Sequence, residues 1–564
     1  MKIRRKYDKI ASEKDKEKEI LELFLFIGAI VVLTCVFFNR ISHKLGVPVL
    51  LAFIVLGMIF GSDGIFRIPF DDYKFAENIC VFALIIIMFY GGFGTKWSAA
   101  KPVAAKAMVM STLGTVLTCG LVGLFCRYIL KFELLESFLI GAVISSTDAA
   151  SVFSILRSHR VNLKYNTASL LEVESGSNDP FAYMLTVTIL SLMNGKTGAG
   201  NIAWLLFSQI TFGVIGGFVV AYFARLYIKR VRFVSAGFDG IFLFAVAVIS
   251  YTLPELIGGN GYLSAYITGI ILGNRRLFNK QSLVNFFDGL TGLMQMTVFF
   301  LLGLLAFPSK LPQVALPAMA IALFMTLIAR PAITFALLAP LRAKLGQMLI
   351  VSWSGLRGAA SIVFAIIAVL DPSTHSNDIF HLVFFIVLFS ILVQGMLLPK
   401  IAGAIGMTST DDDVMKTFTD YTAEHPIRFL RFRIPHNHQW ANSEIRKITL
   451  PPETLLVLIL RDGKKIVPNG RVVIQPGDDV ILSGKAIGHI DGVNLYEKII
   501  DSDDEWLDKR IYHINSGDDL IIMIQRGRSI IIPRGEDRIR EGDILVINDS
   551  THVAAEWEES DEQI

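Results

Sequence analysis

From about residue 20 to residue 404 the chain alternates long apolar runs with short polar loops; from Thr408 onward it turns charged, turn-rich and β-branched. A helix needs about 20 mainly apolar residues to cross the hydrocarbon core of a bilayer. That ruler predicts thirteen spans, near 20–39, 46–61, 76–94, 104–128, 136–156, 167–193, 202–227, 237–254, 261–274, 286–307, 312–339, 346–370 and 379–403. In the tail, short β-branched runs bounded by Asp-Gly, Asn-Gly and Pro-Gly predict strands and turns.

Composition strengthens the membrane assignment. The 564 residues are 53% hydrophobic and 18% charged, with a mean hydropathy of +0.55, too little polar surface for a soluble exterior. Cys35, Cys80, Cys119 and Cys126 all fall in apolar runs without CxxC spacing, so neither a metal site nor a disulfide framework is expected. The basic residues 1–19 precede an apolar run without a small-residue cleavage site, and residues 20–40 read as a retained first span.

Lys and Arg are distributed unevenly over the loops. Alternate loops hold eighteen, among them Lys96, Arg160, Arg230, Arg275 and Lys344, and the intervening loops hold six. The richer side is expected to be cytoplasmic, and the C-terminal tail lies with it. An odd span count then puts the basic N-terminal segment on the opposite side, a conflict in which the loop asymmetry is the stronger signal.

Ionisable groups inside spans carry the chemistry, since each costs about 2.5–3.5 kcal/mol even on the most forgiving scale. The fifth span reads Gly141-Ala-Val-Ile-Ser-Ser-Thr147-Asp148-Ala-Ala-Ser151. Ser145, Ser146, Thr147, Asp148 and Ser151 suit a locally unwound helix, whose carbonyls can replace an ion's hydration shell. Asp148 is alternatively a helix cap or an interhelical hydrogen-bond donor or acceptor. The sixth span reads Glu172-Val-Glu174-Ser175-Gly-Ser-Asn178-Asp179-Pro180. Glu174 shares a face with Asn178 and can hold it; Ser175 shares a face with Asp179, so both can present oxygens together. Pro180 is expected to free the carbonyl of Gly176. Arg330, mid-way along the eleventh span, needs a buried acid, and Glu174 is the candidate. The twelfth span carries Gly355-Leu-Arg357-Gly358, a second expected break, in which Arg357 neutralises half-helix dipole ends. Paired breaks in the two halves point to an inverted-repeat transport site.

The tail contains a tandem repeat. Thr454-Leu-Leu-Val-Leu-Ile-Leu-Arg461, Pro468, Gly470 and Gly477-Asp478 recur 65 residues later as Asp519 to Arg526, Pro533, Gly535 and Gly542-Asp543. No GxGxxG follows a strand, so a nucleotide-binding Rossmann lobe is not expected. The acidic end, Glu556 to Glu562, reads as a solvated tail.

These residues resemble the cation:proton antiporter superfamily, in its electroneutral sodium/proton exchanger and NhaP-type branch. The resemblance rests on Thr147-Asp148, Glu172-x-Glu174-Ser175-x-x-Asn178-Asp179, Arg330, Gly355-Leu-Arg357-Gly358 and the Gly-rich second span 46–61. It implies thirteen spans in dimerisation and core domains with elevator-like alternating access. It also implies that Asp179 binds either cation or proton, helped by Ser175, Asp148 and the backbone near Thr147. Glu172 belongs to the same motif as a supporting residue; Glu174 paired with Arg330, and Asn178 held by Glu174, carry over as structural roles. Asn178 in place of a second Asp implies one-for-one exchange, which agrees with a single titrating carboxylate. Pro180 and Ala149 depart from the family pattern and bear on ion preference. Each tail copy resembles the TrkA-C or RCK-C type lobe, which implies dimerisation and control by a small ligand such as a nucleotide.

The expected fold is therefore a polytopic α-helical membrane protein of about thirteen helices, with inverted repeats, two discontinuous helices and a small α/β cytoplasmic tail. Its expected divisions are an N-terminal segment 1–19, a membrane domain 20–404, a linker 405–424, lobes 425–487 and 492–550, and an acidic end 551–564. The expected function is electroneutral K+/H+ antiport in the inner membrane by a homodimer among lipid, K+ being placed ahead of Na+ by the potassium-system character of the tail. No cofactor and no nucleic acid is expected. A sodium/proton antiporter of the same fold is the alternative; a gated cation channel lacks a TVGYG-like filter. An enzyme lacks a nucleophile elbow, Walker loop or HExxH, and His159 and His375 are lone loop histidines.

Overall fold

The computed structural model describes residues 28–37, 49–158, 161–195, 199–230, 237–275, 280–374, 377–409, 427–436, 438–450, 454–461, 464–485, 494–501, 504–514, 520–526, 529–531 and 533–549. The N-terminal segment 1–19, the start of the first span, His159, His375, most of the linker and the acidic end lie outside the described residues. The chain divides into two compact units, Met1–Thr422 and Ala423–Ile564.

The first unit is helical. In chain order its helices are α1 Gly28–Phe37, α2 Val49–Phe60, α3 Tyr73–Gly94, α4 Ala104–Tyr128, α5 Leu134–Val143, α6 Ala149–Ser158, α7 Thr167–Met193, α8 Ala199–Arg230, α9 Phe238–Glu255, α10 Gly261–Gly273 and α11 Lys280–Leu305. Then come α12 Pro308–Leu338, α13 Leu345–Trp353, α14 Ala359–Leu370 and α15 Ile379–Ala404. Among the described residues, the seven helices α3, α4, α8, α9, α11, α12 and α15 are long and apolar enough to cross a membrane, and α1, α2, α5, α10 and α14 are shorter apolar helices. Helix α7 is 27 residues long but carries Glu172, Glu174 and Asp179, all buried.

Sequence signals start several of these helices. Asp72 caps α3 by accepting from Phe75 N at 2.8 Å, and Asn260 caps α10 by accepting from Leu263 N at 3.0 Å. Three helices contain single π-helical turns, Met110–Gly114 in α4, Met325–Ala329 in α12 and Ser390–Gly395 in α15. Such turns often mark functional segments. Helices α3 and α10 pack backbone to backbone through Gly92 and Gly269: a Cβ on Gly92 would lie 2.1 Å from Tyr266 O, and one on Gly269 2.2 Å from Phe89 O. Close approach through small residues is how membrane helices associate without a hydrophobic drive. All four cysteines are buried free thiols.

A two-stranded ribbon joins β1 Asn162–Leu163 to β2 Thr408–Ser409. The first residues of the expected linker are therefore paired into the membrane unit, because Thr408 and Ser409 find strand partners there.

The second unit contains two four-stranded antiparallel sheets. With β3 Ile427–Arg433, β4 Thr454–Arg461, β5 Lys464–Ile466 and β6 Asp479–Lys485, the first has the order β3-β6-β4-β5. With β7 Asn494–Ile499, β8 Leu520–Arg526, β9 Ser529–Ile531 and β10 Ile544–Asp549, the second has the equivalent order β7-β10-β8-β9. Each sheet has a bulge at the same place, around Val457 in the first and Ile522 in the second. The tail was expected to be α/β; its described residues form strands and two short 3-10 turns, Ile445–Lys447 and Ile511–His513, with no α-helix. The β-branched runs alternate with turns too closely to leave room for a 3.6-residue period.

Candidate functional site

Two helix interruptions meet in the first unit. Helix stops at Val143 and resumes at Ala149, and it stops again at Trp353 and resumes at Ala359. The two non-helical segments touch: Asp148 N donates to Leu356 O at 2.8 Å. Arg357, fully buried, donates through Nη1 to Ser145 O at 2.9 Å and to Ser146 O at 2.5 Å. Those carbonyls follow the end of α5, where a helix leaves acceptors unsatisfied and the dipole is negative. Gly358 has to be glycine, since a Cβ there would sit 1.9 Å from Asp148 Oδ2.

Helix α7 runs past this crossing and supplies its acids. Asp179 is 8% exposed and its Oδ1 accepts from the Ser146 hydroxyl. Among the described residues Asp179 has no basic partner. Ser175 Oγ donates to Thr147 O at 2.7 Å and accepts from Ala149 N at 2.8 Å. Its hydroxyl therefore braces the first interruption, and the hydroxyl on Asp179 comes from Ser146.

Asn178 is held by Thr147, not by Glu174 as expected: its Nδ2 donates to Thr147 Oγ1 at 2.6 Å and its Oδ1 accepts from Thr147 N at 3.4 Å. Glu174 turns instead to Arg330, forming a buried ion pair. A full charge outcompetes an amide for a carboxylate. Arg330 also backs the second interruption, where a Cβ on Gly355 would lie 3.0 Å from its Nε.

Asp148 takes the alternative role of a cap. Its Oδ1 accepts from Ala150 N at 3.0 Å and Ser151 N at 3.3 Å, and its Oδ2 from Ser151 Oγ at 2.5 Å. Pro180 does not break α7, which is helical from Thr167 to Met193. Without an N–H, Pro180 gives the Gly176 carbonyl no helical donor, and its own carbonyl accepts from Asn260 Nδ2 at 2.8 Å.

Sequence reasoning had no role for Asn260, although an Asn among Gly258, Gly259 and Gly261 is a cap signal. It also passed over Ser390 and Gln394 on α15, which support the second interruption. Ser390 Oγ accepts from Arg357 N at 3.1 Å and donates to Gln394 Oε1 at 2.7 Å. Uncharged polar residues in a long apolar run give little signal. The Leu356 carbonyl gives none, because any residue has one.

A cavity of about 490 Å³ reaches the crossing, with Asp148, Glu172, Ser175 and Asp179 in its wall. Tyr90 and Val49 also line it, each at or near a helix end that leads to a lysine- or arginine-bearing loop.

Residues 28–403 match the family described as sodium/hydrogen exchanger, transmembrane. The chain belongs to that family. Residues 429–486 match the TrkA-C domain. The chain is 32% identical to the K(+)/H(+) antiporter NhaP of Alkalimonas amylolytica, across 82% of this chain and 81% of that protein. It is 30% identical to the K(+)/H(+) antiporter NhaP2 of Shewanella sp. strain MR-4, across 83% of this chain and 82% of that one. The structure of the sodium proton antiporter MjNhaP1 from Methanocaldococcus jannaschii at pH 8 aligns with a TM-score of 0.60 at 23% identity, covering 67% of this chain and 100% of that chain; that likeness concerns the fold. This exchanger-family chain is a multi-pass membrane protein with a TrkA-C domain, as the sequence motifs implied. A transport family, not an enzyme family, is the frame for its site.

Proposed function

We propose that the chain is an electroneutral monovalent cation/proton antiporter, exchanging one cation for one proton at Asp179 by alternating access. The observation that supports this most directly is Asp179 itself: buried beside two interrupted helices, with the Ser146 hydroxyl and, among the described residues, no basic group to balance it. An ionised carboxylate out of water without a counter-charge costs several kcal/mol. A proton relieves that cost, and so does a cation coordinated by Asp179 together with oxygens of the Ser145–Asp148 segment. The two occupants compete for one charge, and competition is what couples their movements. Glu174 is already neutralised by Arg330, so it is left out of the exchange.

The proposed architecture is thirteen spans with an inverted repeat. The interruptions begin at residues 144 and 354, 210 positions apart, and the π-helical turns of α4 and α12 begin at 110 and 325, 215 apart. A repeat seven spans along the chain runs in the opposite direction, which an odd interval requires. The proposed domain divisions are those read from the sequence, save that Thr408 and Ser409 join the membrane unit, with an inner-membrane location, a cytoplasmic tail and a homodimer surrounded by lipid. The cavity, bounded by helix ends near basic loops, then faces the cytoplasm. K+ is placed ahead of Na+ by relatives whose names carry K(+)/H(+) and by the TrkA-C domain, which we propose regulates transport through a small ligand.

The test is proton movement in proteoliposomes loaded with a pH-sensitive dye, driven in turn by K+, Na+, Rb+ and Li+. K+ is expected to drive the fastest exchange, and Asp179→Asn to reduce it by at least about 100-fold, the scale set by deleting an indispensable group. Exchange retained by a well-folded Asp179→Asn protein refutes the role of this acid.

A further inference from the structure

Two contacts from α10 bracket Asp179 on α7, and the exchange cycle above leaves both unused. Three residues before the acid, Gly176 lies against Tyr266: a Cβ on Gly176 would sit 2.4 Å from Tyr266 Cε2. Just after it, the Pro180 carbonyl accepts from Asn260 Nδ2 at 2.8 Å. Asn260 is 2% exposed. Its amide has one orientation only, because Oδ1 accepts from the backbone N–H of Leu263 at 3.0 Å and so leaves Nδ2 for the carbonyl. Its backbone is fixed as well. Asn260 N donates to Gln209 O of α8 at 3.0 Å, and a Cβ on Gly213 of α8 would lie 2.8 Å from Asn260 O. Gly258, at φ +77°, makes the turn that delivers it there.

The two ends of this hydrogen bond belong to differently packed helices. Helix α10 places Ala265 and Leu272 in a hydrophobic cluster with Phe89 of α3, Ala224 of α8, Val246 of α9 and Phe287 of α11. Helix α7 places Leu170 and Leu171 in another, with Val152 of α6, Val351 of α13 and Ala402 of α15. Where the two helices pass, Ala182, Tyr262 and Tyr266 share a third cluster. Apolar contact of that kind is non-directional and re-forms at another register. A hydrogen bond from an amide held at both ends fits one register.

We propose that Asn260 is a positioning residue for the exchange: it holds α7 with Asp179 open to the cavity, and lets go when the site turns to the other side. The bond is neutral and does not touch the ion, so its weight falls on the balance between the two states. The net worth of one such bond corresponds to about a threefold to tenfold bias. The inference rests on the reading of alternating access at Asp179 and adds the residue that biases it.

The test uses the full chain in membrane vesicles of both orientations, with K+-driven proton movement measured at equal pH on the two faces. Asn260→Ser and Asn260→Thr isolate the bond, since either side chain still caps α10 and neither extends as far as the amide. In each, the KM for K+ at the cytoplasmic face divided by that at the opposite face is expected to rise about threefold to tenfold. The maximal rates follow the same ratio, because detailed balance ties the two. A merely structural defect lowers exchange from both faces together. A wild-type ratio in the two variants, whatever their overall rates, overturns the proposal. If Asp179→Asn abolishes exchange while the ratio is unmoved, only the role of Asn260 falls. If Asp179→Asn still exchanges while the ratio moves, that acid loses its role and Asn260 keeps its own. A wild type with no cation-driven exchange removes both.

Discussion

The membrane unit and the tail both repeat themselves, and they treat their repeats in opposite ways. In the tail the two copies keep the same pair, a half-buried arginine on a buried acid. Arg461 grips Asp478 with Nε to Oδ1 and Nη2 to Oδ2, both at 2.8 Å, while Gln475 N donates to the same acid at 2.8 Å. Sixty-five residues on, Arg526 grips Asp543 at 2.8 and 2.7 Å and Arg540 N donates at 2.8 Å. In the membrane unit the interruption recurs but its side chains do not. The first offers Ser145, Ser146, Thr147 and Asp148; the second offers Arg357 between Gly355 and Gly358. The difference follows from what each copy must satisfy. Each tail sheet closes over its own acid, so each needs its own arginine. The membrane interruptions cross one another, and two like charges at one crossing would repel in a low dielectric. One copy therefore supplies oxygens and the other a cation.

The comparison is broken most easily at Arg357. Arg357→Met leaves the carbonyls of Ser145 and Ser146 without donors, at about 1–3 kcal/mol for each buried orphan. Exchange is expected to fall below detection and the thermal transition of the solubilised protein to drop; Arg357→Lys recovers part of both, because it restores charge without the planar fork. Wild-type exchange by Arg357→Met would mean that complementary charge is not what holds the crossing.

That arrangement was only partly legible in the sequence. The sequence ruler and the structure agree on the limits of α7, Thr167–Met193, although its buried acids keep it out of the helices that length and hydropathy alone select. The partner of Asn178 was misread. A four-residue spacing says that Glu174 and Asn178 share a face, but not that each lacks a better partner on another helix. Arg330 could be matched to Glu174 because an intramembrane charge demands an opposite one. Thr147, a neutral partner, makes no such demand. In the tail, the repeat of Arg461 and Asp478 was visible as letters, while their mutual grip needed the strand register to bring Arg461 and Asp478 together.

Asn178→Asp sharpens the comparison by adding a second carboxylate to the oxygen-bearing copy. With Asn178 held by Thr147, Asp179 is the one acid proposed to change occupant, and wild-type exchange is expected to be indifferent to an imposed potential. The added acid is expected to make the rate voltage-dependent, by at most about 2.3 kcal/mol per 100 mV for one charge crossing the whole field. Valinomycin-clamped proteoliposomes measure this. A wild-type rate that already follows voltage removes the one-for-one stoichiometry.

The smallest effect, and the one that asks whether the tail copies are truly equivalent, comes from Arg461→Met and Arg526→Met. Burial raises the carboxyls of Asp478 and Asp543, but the arginine fork and a backbone amide outweigh it and hold both below the ordinary carboxylate range. A depressed folded value means stability that is fully present above the unfolded pKa of about 3.9 and is lost as pH falls through the folded value. Removing the arginine leaves burial as the larger influence, so the acid-induced loss moves to higher pH. Each variant is expected to lose about 1.5–3 kcal/mol locally, the range for a hydrogen-bonded charge. Hydrogen exchange on the full chain should show Arg461→Met loosening β4 and β6, and Arg526→Met loosening β8 and β10 to the same extent. If one substitution loosens both sheets, the copies share their stability as the crossed membrane segments do, and the contrast between the two repeats disappears.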